Sequence, residues 1–352
     1  MSRTQAGARP DPAGGQDEVL RVTDLRVTFH RGDTQVEAVR GLSLVLHPGR
    51  VVGVAGESGS GKSASALAVM GLHPPGTHVT GSISFRGREL VGLSEKQLRS
   101  IRGREIAMVF QETGTALNPL LRVADQLELA LKAHTTLGKQ QRRQRMREAL
   151  LDVRLDDPDR VLRAYPHELS GGMAQRVVIA MALICGSQVL LADEPTTALD
   201  VSVQKEILDL LRVLVSEHDL AVMMISHDLA VLAELCDELV VMYKGECVEI
   251  GPARDVLRAP SHPYTRGLLD CLPRLHGERG ATLPEMPPPT GLASTDLGCR
   301  FRDRCQWRID RCEDHPPLEP LGRSDGREAR CWRAPELPPV DGGATTEAAH
   351  RA

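Results

Sequence analysis

Aromatic residues make up only 3% of this 352-residue chain, with two Trp, three Tyr and four Phe. So small a supply excludes an aromatic platform for stacking single-stranded nucleic acid. Neither sign of charge is in large excess: 43 Lys and Arg stand against 47 Asp and Glu, a formal −4. Such a balance gives no general pull towards nucleic acid or anionic lipid. No apolar run approaches the roughly 18 residues of a membrane-spanning helix. Residues 1–16 hold two arginines but no apolar stretch, so they do not read as a secretory signal. Paired C-x₂-C motifs are also missing. What remains is a cytosolic protein with enough apolar content, 41%, to fill a core.

Against these absences one stretch stands out, Gly56-Glu57-Ser58-Gly59-Ser60-Gly61-Lys62-Ser63. The apolar run Val51–Ala55 precedes it, and an amphipathic run with Ala66, Leu67, Val69 and Met70 follows. That is the strand–loop–helix setting of a G-x-x-x-x-G-K-[ST] phosphate loop. Its glycines let backbone N–H groups point at one anion, and the helix N-terminus adds unpaired donors and a positive dipole end. Lys62 is expected to reach the β- and γ-phosphates and Ser63 to sit on Mg²⁺. The chain is thus expected to bind a nucleoside triphosphate.

Around the loop the pattern alternates. Val19–Val22, Leu25–Phe29, Val36–Val39 and Leu42–Leu46 read as strands, as do Gly81–Phe85 and Ile106–Phe110. Ser94 caps a short helix to Ile101. Residues 118–168 are almost wholly helical in pattern, an inserted helical subdomain of about 112–170. Strands resume at Val189–Ala192, Ala221–Ile225 and Leu239–Tyr243, alternating with helices at Val203–Val215 and Leu229–Leu235. Such alternation predicts a parallel sheet with helices on both faces. Residues 1–16 and 334–352 are expected to be disordered tails. A Pro-rich linker around 284–289 leads to a cysteine-bearing module within 271–333.

Val189–Glu194 is an apolar strand ending in two carboxylates, which places both acids at the crevice of the phosphate loop. Asp193 suits Mg²⁺, and Glu194 suits polarising the water that attacks the γ-phosphate. Leu169-Ser170-Gly171-Gly172-Met173 is a second glycine turn delivering a helix N-terminus, Val177–Ile184. With one phosphate loop already present, this second anion site would serve a phosphate from elsewhere.

In this order, the phosphate loop, Leu169–Met173 and the Asp193-Glu194 strand resemble the ATP-binding cassette of ABC transporters, over residues 17–270. The resemblance implies a P-loop cassette fold: a mixed or parallel α/β sheet with flanking helices, an antiparallel β subdomain and the helical insertion. It implies that Gln111 is the Q-loop glutamine, Asp200 the D-loop acid, and His227 the switch histidine at the γ-phosphate. Phe29 stands where an aromatic stacks on adenine. Two cassettes then pair head to tail, so that Ser170, Gly171, Gly172 and Met173 close over ATP on the partner's loop. Hydrolysis releases the pair, a population shift driven by γ-phosphate contacts.

The branch is suggested by Phe110-Gln111-Glu112 with Thr115–Pro119, by Met173, and by His262-Pro263-Tyr264-Thr265-Arg266-Gly267-Leu268-Leu269. These resemble peptide and nickel importers; Thr113 replaces their usual proline and Ala174 their usual arginine. The branch implies an ATPase energising di- or oligopeptide import, or nickel import, on the cytoplasmic face of the membrane. Expected partners are two permease chains, an extracytoplasmic binding protein and a homologous second ATPase, with no nucleic acid. A soluble cassette ATPase governed by a metal or redox module is the reading from another class.

Cys185, Cys236, Cys247 and Cys271 are expected to be small buried hydrophobes. Cys299, Cys305, Cys312 and Cys331 cluster at spacings of six, seven and nineteen. In a reducing cytosol such a cluster points to metal. On spacing alone zinc and an iron–sulfur cubane are equally compatible, with unligated thiols as a third reading, and the five arginines between Cys299 and Cys312 could offset thiolate charge. Resemblance to importers with a [4Fe–4S] cluster in this module favours iron, as a structural staple or a regulator.

Overall fold

The computed structural model describes residues 18–31, 34–111, 116–197, 199–271, 297–322 and 326–337. The expected tail at 1–16, the Pro-rich linker, most of the second tail, and Glu112, Thr113 and Thr115 lie outside them.

Strands β1 (Leu20–Arg31) and β2 (Thr34–Leu46) form an antiparallel ribbon. With β4 (His78–Phe85) and β5 (Arg88–Glu89) they make a four-stranded sheet in the order β2-β1-β4-β5. The sequence pattern divides β1 and β2 into two strands each, and the structure joins them. The reason is one inserted residue in each strand. Leu20 and Val22 are buried, then Leu25 and Val27; Val39 is buried, then Leu42, Leu44 and Leu46. A step of three restores the period-two alternation beyond the register shifts of β1. Asp24 takes a left-handed φ of 44° and Gly41 one of 86° to accommodate it.

The second sheet holds β3 (Val51–Ala55), β6 (Ile106–Val109), β7 (Val189–Asp193), β8 (Ala221–Ile225), β9 (Glu238–Tyr243), β10 (Glu246–Pro252), β11 (Glu319–Pro320) and β12 (Glu328–Ala329). Its order is β11-β12-β10-β9-β3-β8-β7-β6. From β9 to β6 the strands are parallel, as the alternation predicts. On β3, Val51 and Ala55 face one core while Val52 and Val54 face the other. Both faces are therefore covered, which is how a parallel sheet becomes stable. Beyond β9 the sheet turns antiparallel. The pattern conceals β10 because two carboxylates, Glu246 and Glu249, interrupt its apolar run although both are buried.

Helix α1 (Lys62–Met70) follows β3, and α2 (Glu95–Ile101) carries a capping box of Ser94 and Gln97. Three helices fill the middle: α3 (Val123–His134), α4 (Lys139–Asp152) and α5 (Pro158–Arg163). Then come α6 (Gly171–Leu183), α7 (Val201–His218), α8 (Leu229–Leu235), α9 (Ala253–Arg258) and α10 (Pro263–Asp270). Among the described residues no helix is long and apolar enough to cross a membrane. The carboxyl-terminal segment is mostly turns, tied to the sheet where β12 pairs with β10.

Candidate active site

Register places the chemistry. Val54 of β3 and Asp193 of β7 both pair with Ile225 of β8, and Val109 of β6 pairs with Ala192. The segments leaving these four strands therefore share one edge, and each carries an expected site residue. The phosphate loop leaves β3, Gln111 follows β6, Glu194 follows β7 and His227 follows β8.

In the phosphate loop Gly56 has φ 148° and Gly61 φ 102°. A Cβ on Gly56 would strike the Met242 carbonyl oxygen, and one on Gly61 would strike that of Ala38. Only glycine fits such a close backbone approach. Lys62, buried, donates from Nζ to the carbonyls of Gly56 at 2.8 Å and Glu57 at 2.9 Å. Its ammonium therefore sits inside the curve of the loop. Burial lowers its pKa, while Glu194, Asp193 and Glu57 oppose that shift. Ser60 is buried too, its Oγ without a hydrogen-bond partner.

Burial pushes the Asp193 carboxyl up, against a hydrogen bond from Ser63. Its Oδ1 is buried with no partner among the described residues. A desolvated carboxylate oxygen beside a serine hydroxyl is the hard-oxygen donor set that Mg²⁺ takes alongside phosphate oxygens. The residues fit that ion.

Glu194 has a left-handed φ of 49°, held by its N–H bonding the Ile225 carbonyl at 2.9 Å. A non-glycine residue there is strained by on the order of 1 kcal/mol or more. Three side chains converge on its carboxylate. Gln111 Nε2 donates to Oε2 at 2.9 Å, Thr197 Oγ1 donates to Oε2 at 3.0 Å, and His227 Nδ1 lies 3.0 Å from Oε1. Burial works against the charge, but the hydrogen bonds of His227 and Thr197 and the nearby Lys62 ammonium win, and the carboxyl lies below its usual range. The sequence pairs neither Gln111 nor His227 with Glu194; the register of β6, β7 and β8 does, while Thr197 reaches Glu194 from three residues along the same turn. An anionic carboxylate oriented by three donors, beside a lysine and a second acid, can take a proton from water attacking a bound phosphate.

Phe29 lies on the ribbon whose β2 strand supplies Ala38, the residue that crowds Gly61. The second glycine turn lies elsewhere. Ser170, exposed, caps α6 by accepting from the Met173 N–H at 3.3 Å. Asp200 caps α7, accepting from the Val203 N–H at 3.0 Å and from Ser202 Oγ at 2.6 Å. Gly171 faces Leu199 and Gly172 faces Val203, so these two helix starts adjoin.

The cysteine expectation is not supported by the structure. Among the described residues no three His, Cys, Asp or Glu side chains are placed to hold a metal ion. All four carboxyl-terminal cysteines are free thiols. Burial pushes Cys299 up to about 12 and Cys305 up to about 11. The expected four-thiolate set is therefore not assembled in this arrangement. Four of the five intervening arginines engage other groups. Arg300 pairs with Glu246 at 2.7 Å, Arg304 with Glu57 at 2.9 Å and Arg308 with Glu313 at 2.5 Å. Arg311 lies 3.7 Å over the Trp332 ring.

A phosphate loop, two acids at the end of a strand one removed from it, and glutamine and histidine aimed at one of them define a P-loop ATPase cassette. The model of the ABC transporter family matches residues 39–197, and that of the oligopeptide/dipeptide transporter C-terminal region matches 248–312. The oligopeptide transport ATP-binding protein OppD of Salmonella typhimurium is 44% identical over 96% of this chain and 98% of its own. The dipeptide transport ATP-binding protein DppD of Bacillus subtilis is 44% identical, over 90% and 95%. Among solved structures, the dimeric bacterial ABC transporter cassette MJ0796 is similar with a TM-score of 0.59 at 30% identity, covering 67% of this chain and 99% of that one. The chain belongs to the ABC transporter family, as an ATP-binding subunit with the oligopeptide/dipeptide-type carboxyl-terminal region.

Proposed function

We propose that this chain hydrolyses ATP to drive import of di- or oligopeptides, from the cytoplasmic face of a membrane. The observation that carries the hydrolytic half is the convergence of Gln111, Thr197 and His227 on Glu194 beside Lys62 and Asp193. Lys62 and the loop N–H groups bind the β- and γ-phosphates, and Phe29 stacks on adenine. Ser63 and Asp193 hold Mg²⁺, which when bound draws charge from the transferring phosphoryl group. Glu194 accepts a proton as water oxygen bonds to the γ-phosphorus and the bond to the ADP oxygen breaks. Gln111 and His227 orient Glu194 and then the water and γ-phosphate.

Ser170, Gly171, Gly172 and Met173, with Asp200 alongside, close over ATP held by a second, homologous cassette. The exposure of that turn on a helix N-terminus supports this reading. Two permease chains and an extracytoplasmic binding protein complete the importer. The names and full-length similarity of the two relatives support peptide over nickel as cargo. Reconstitution with the permease chains tests it: ATP-driven uptake of a labelled tripeptide is expected, and uptake of Ni²⁺ alone overturns the peptide reading.

The four cysteines enter as a separable proposal. The thiol of Cys299 feels those of Cys312, Cys331 and Cys305, so all four lie within electrostatic reach. Metal would deprotonate such thiols and draw them together. A [4Fe–4S] cluster is the proposed occupant and Zn²⁺ the alternative. Iron and sulfide on anaerobically purified protein are expected, and absence of iron and zinc alike ends the proposal.

A further inference from the structure

We propose that Arg304 is a positioning residue for ATP, which neutralises and orients the one carboxylate carried by the phosphate loop. The inference rests on the ATP-binding reading of that loop. Glu57 is the loop's second residue, so the loop brings its own negative charge to a polyanion. Left alone, that charge opposes the phosphates. Arg304 answers it from 247 residues along the chain, Nη2 bonding Oε1 at 2.9 Å and Nη1 bonding Oε2 at 3.0 Å. A two-pronged guanidinium–carboxylate pair fixes the plane of the carboxylate as well as its charge.

Arg304 is itself immobilised. Its side chain is only 5% exposed, against 37% for Glu57. Nη1 also bonds the Tyr243 hydroxyl at 3.3 Å, and the guanidinium lies 5.7 Å from the Tyr243 ring centre and 5.8 Å from that of Phe301. Tyr243, Tyr264 and Phe301 pack with ring centres 4.6 to 5.5 Å apart.

The backbone of Glu57 is gripped from the same side. Its N–H donates to the Tyr264 hydroxyl at 2.8 Å, and Tyr264 is fully buried on α10. Its carbonyl accepts from Lys62 Nζ at 2.9 Å. Carboxylate and N–H are thus held by residues beyond β10, and the carbonyl by the phosphate-binding lysine. The His262–Leu269 stretch thereby acquires a physical role, since it delivers Tyr264 to the loop.

The test is calorimetric titration of the full-length chain with AMP-PNP, alongside the ATP dependence of phosphate release by the assembled importer. Arg304→Gln is expected to weaken AMP-PNP binding about tenfold in 50 mM salt, less in 0.5 M salt as the Glu57 charge is screened. KM for ATP rises to match, with kcat within about twofold. Arg304→Lys keeps the charge but not the two-pronged geometry, and falls between the parent and Arg304→Gln. Removing both charges, Glu57→Gln with Arg304→Gln, returns affinity to within about threefold. Unchanged binding by Arg304→Gln overturns the proposal, as does a double variant as weak as the single one. Should Arg304→Gln fail to fold, the double variant decides by the same criterion. Failure of the parent chain to bind AMP-PNP overturns the ATP reading itself.

Discussion

The chain builds two glycine turns that each open a helix, and their surroundings could hardly differ more. The phosphate loop is enclosed at its two ends: Met242 crowds Gly56 and Ala38 crowds Gly61, Tyr264 and Arg304 hold Glu57, and Lys62 fills its curve, while Ser58 and Gly59 at its tip are exposed. The turn at Ser170 is more open, its serine and Gly171 exposed, with Leu199 at ordinary contact distance from Gly171 and Val203 close against Gly172. A ligand meeting the first turn finds walls on the same chain. A ligand meeting the second must bring them. In the head-to-tail pair proposed above, a turn walled by its own chain beside an acid pair and a more open turn ahead of the same strand become complementary halves.

The largest expected effect breaks the enclosed half. Gly56→Ala would force a side chain into the Met242 carbonyl at a φ of 148°, a conformation costing on the order of 1–3 kcal/mol before any clash. Nucleotide binding by calorimetry should fall by about 100-fold or more. Gly171→Ala meets nothing closer than Leu199 at 3.5 Å, so this chain should fold and bind ATP as before while turnover by the assembled pair drops. Equal loss of binding in both variants would erase the distinction between the turns.

Glu194→Gln is expected to match Gly56→Ala in size. It removes the proton acceptor and leaves Lys62, Ser63 and Asp193 in place, so phosphate release should fall by about 10²–10⁴ with binding intact. Wild-type turnover by that variant would move the base elsewhere. Smaller still is Ser170→Ala, which loses the α6 cap, about 1 kcal/mol of helix stability. It should slow turnover of the pair by about tenfold, the worth of one hydrogen bond to a charged phosphate, without altering ATP affinity of the chain alone.

The two turns are also unequally legible. Each is contiguous, so its glycines and flanking strand or helix can be read directly from residue order. The same holds for Asp193 and Glu194, because a buried strand ending in acids needs no partner to be recognised. Enclosure, by contrast, is made by residues distant in sequence. Tyr264 reads as part of a helix with Pro263 at its first turn, and Arg304 as one arginine among five near the cysteines. Nothing in their local pattern points to Glu57. The long strands β1 and β2 read as fragments for a related reason: one inserted residue breaks the alternation that sequence reading follows. In β10 the signal fails differently. Its two glutamates look like a polar turn, whereas Arg300, His315 and the N–H groups of Ser261 and His262 satisfy them in the interior.

The smallest effect sharpens the comparison through pH. His262 is buried at the start of α10, its Nδ1 accepting from the Tyr264 N–H at 3.0 Å. Burial, reinforced by the Arg330 charge, pushes its pKa down to about 3 from 6.5. Between those values the unfolded chain binds a proton that the folded chain refuses. The stability that His262 contributes is therefore fully present above about 6.5 and falls as pH drops, by about 1.4 kcal/mol per unit once well inside that window. Glu246, held down to about 2 from 4.5 by His315 and Arg300 against the cost of burial, adds a loss of the same sign only below 4.5. Urea midpoints at pH 7, 6 and 5 should thus fall progressively, and His262→Asn, which retains a capping oxygen without the titration, should flatten the slope. Because α10 carries the tyrosine that grips Glu57, acidification over this range should loosen the enclosed turn first, measured as hydrogen exchange at the Glu57 amide. Faster exchange at Met173 than at Glu57 as pH falls would show that the walls of the phosphate loop do not depend on that buried, neutral imidazole.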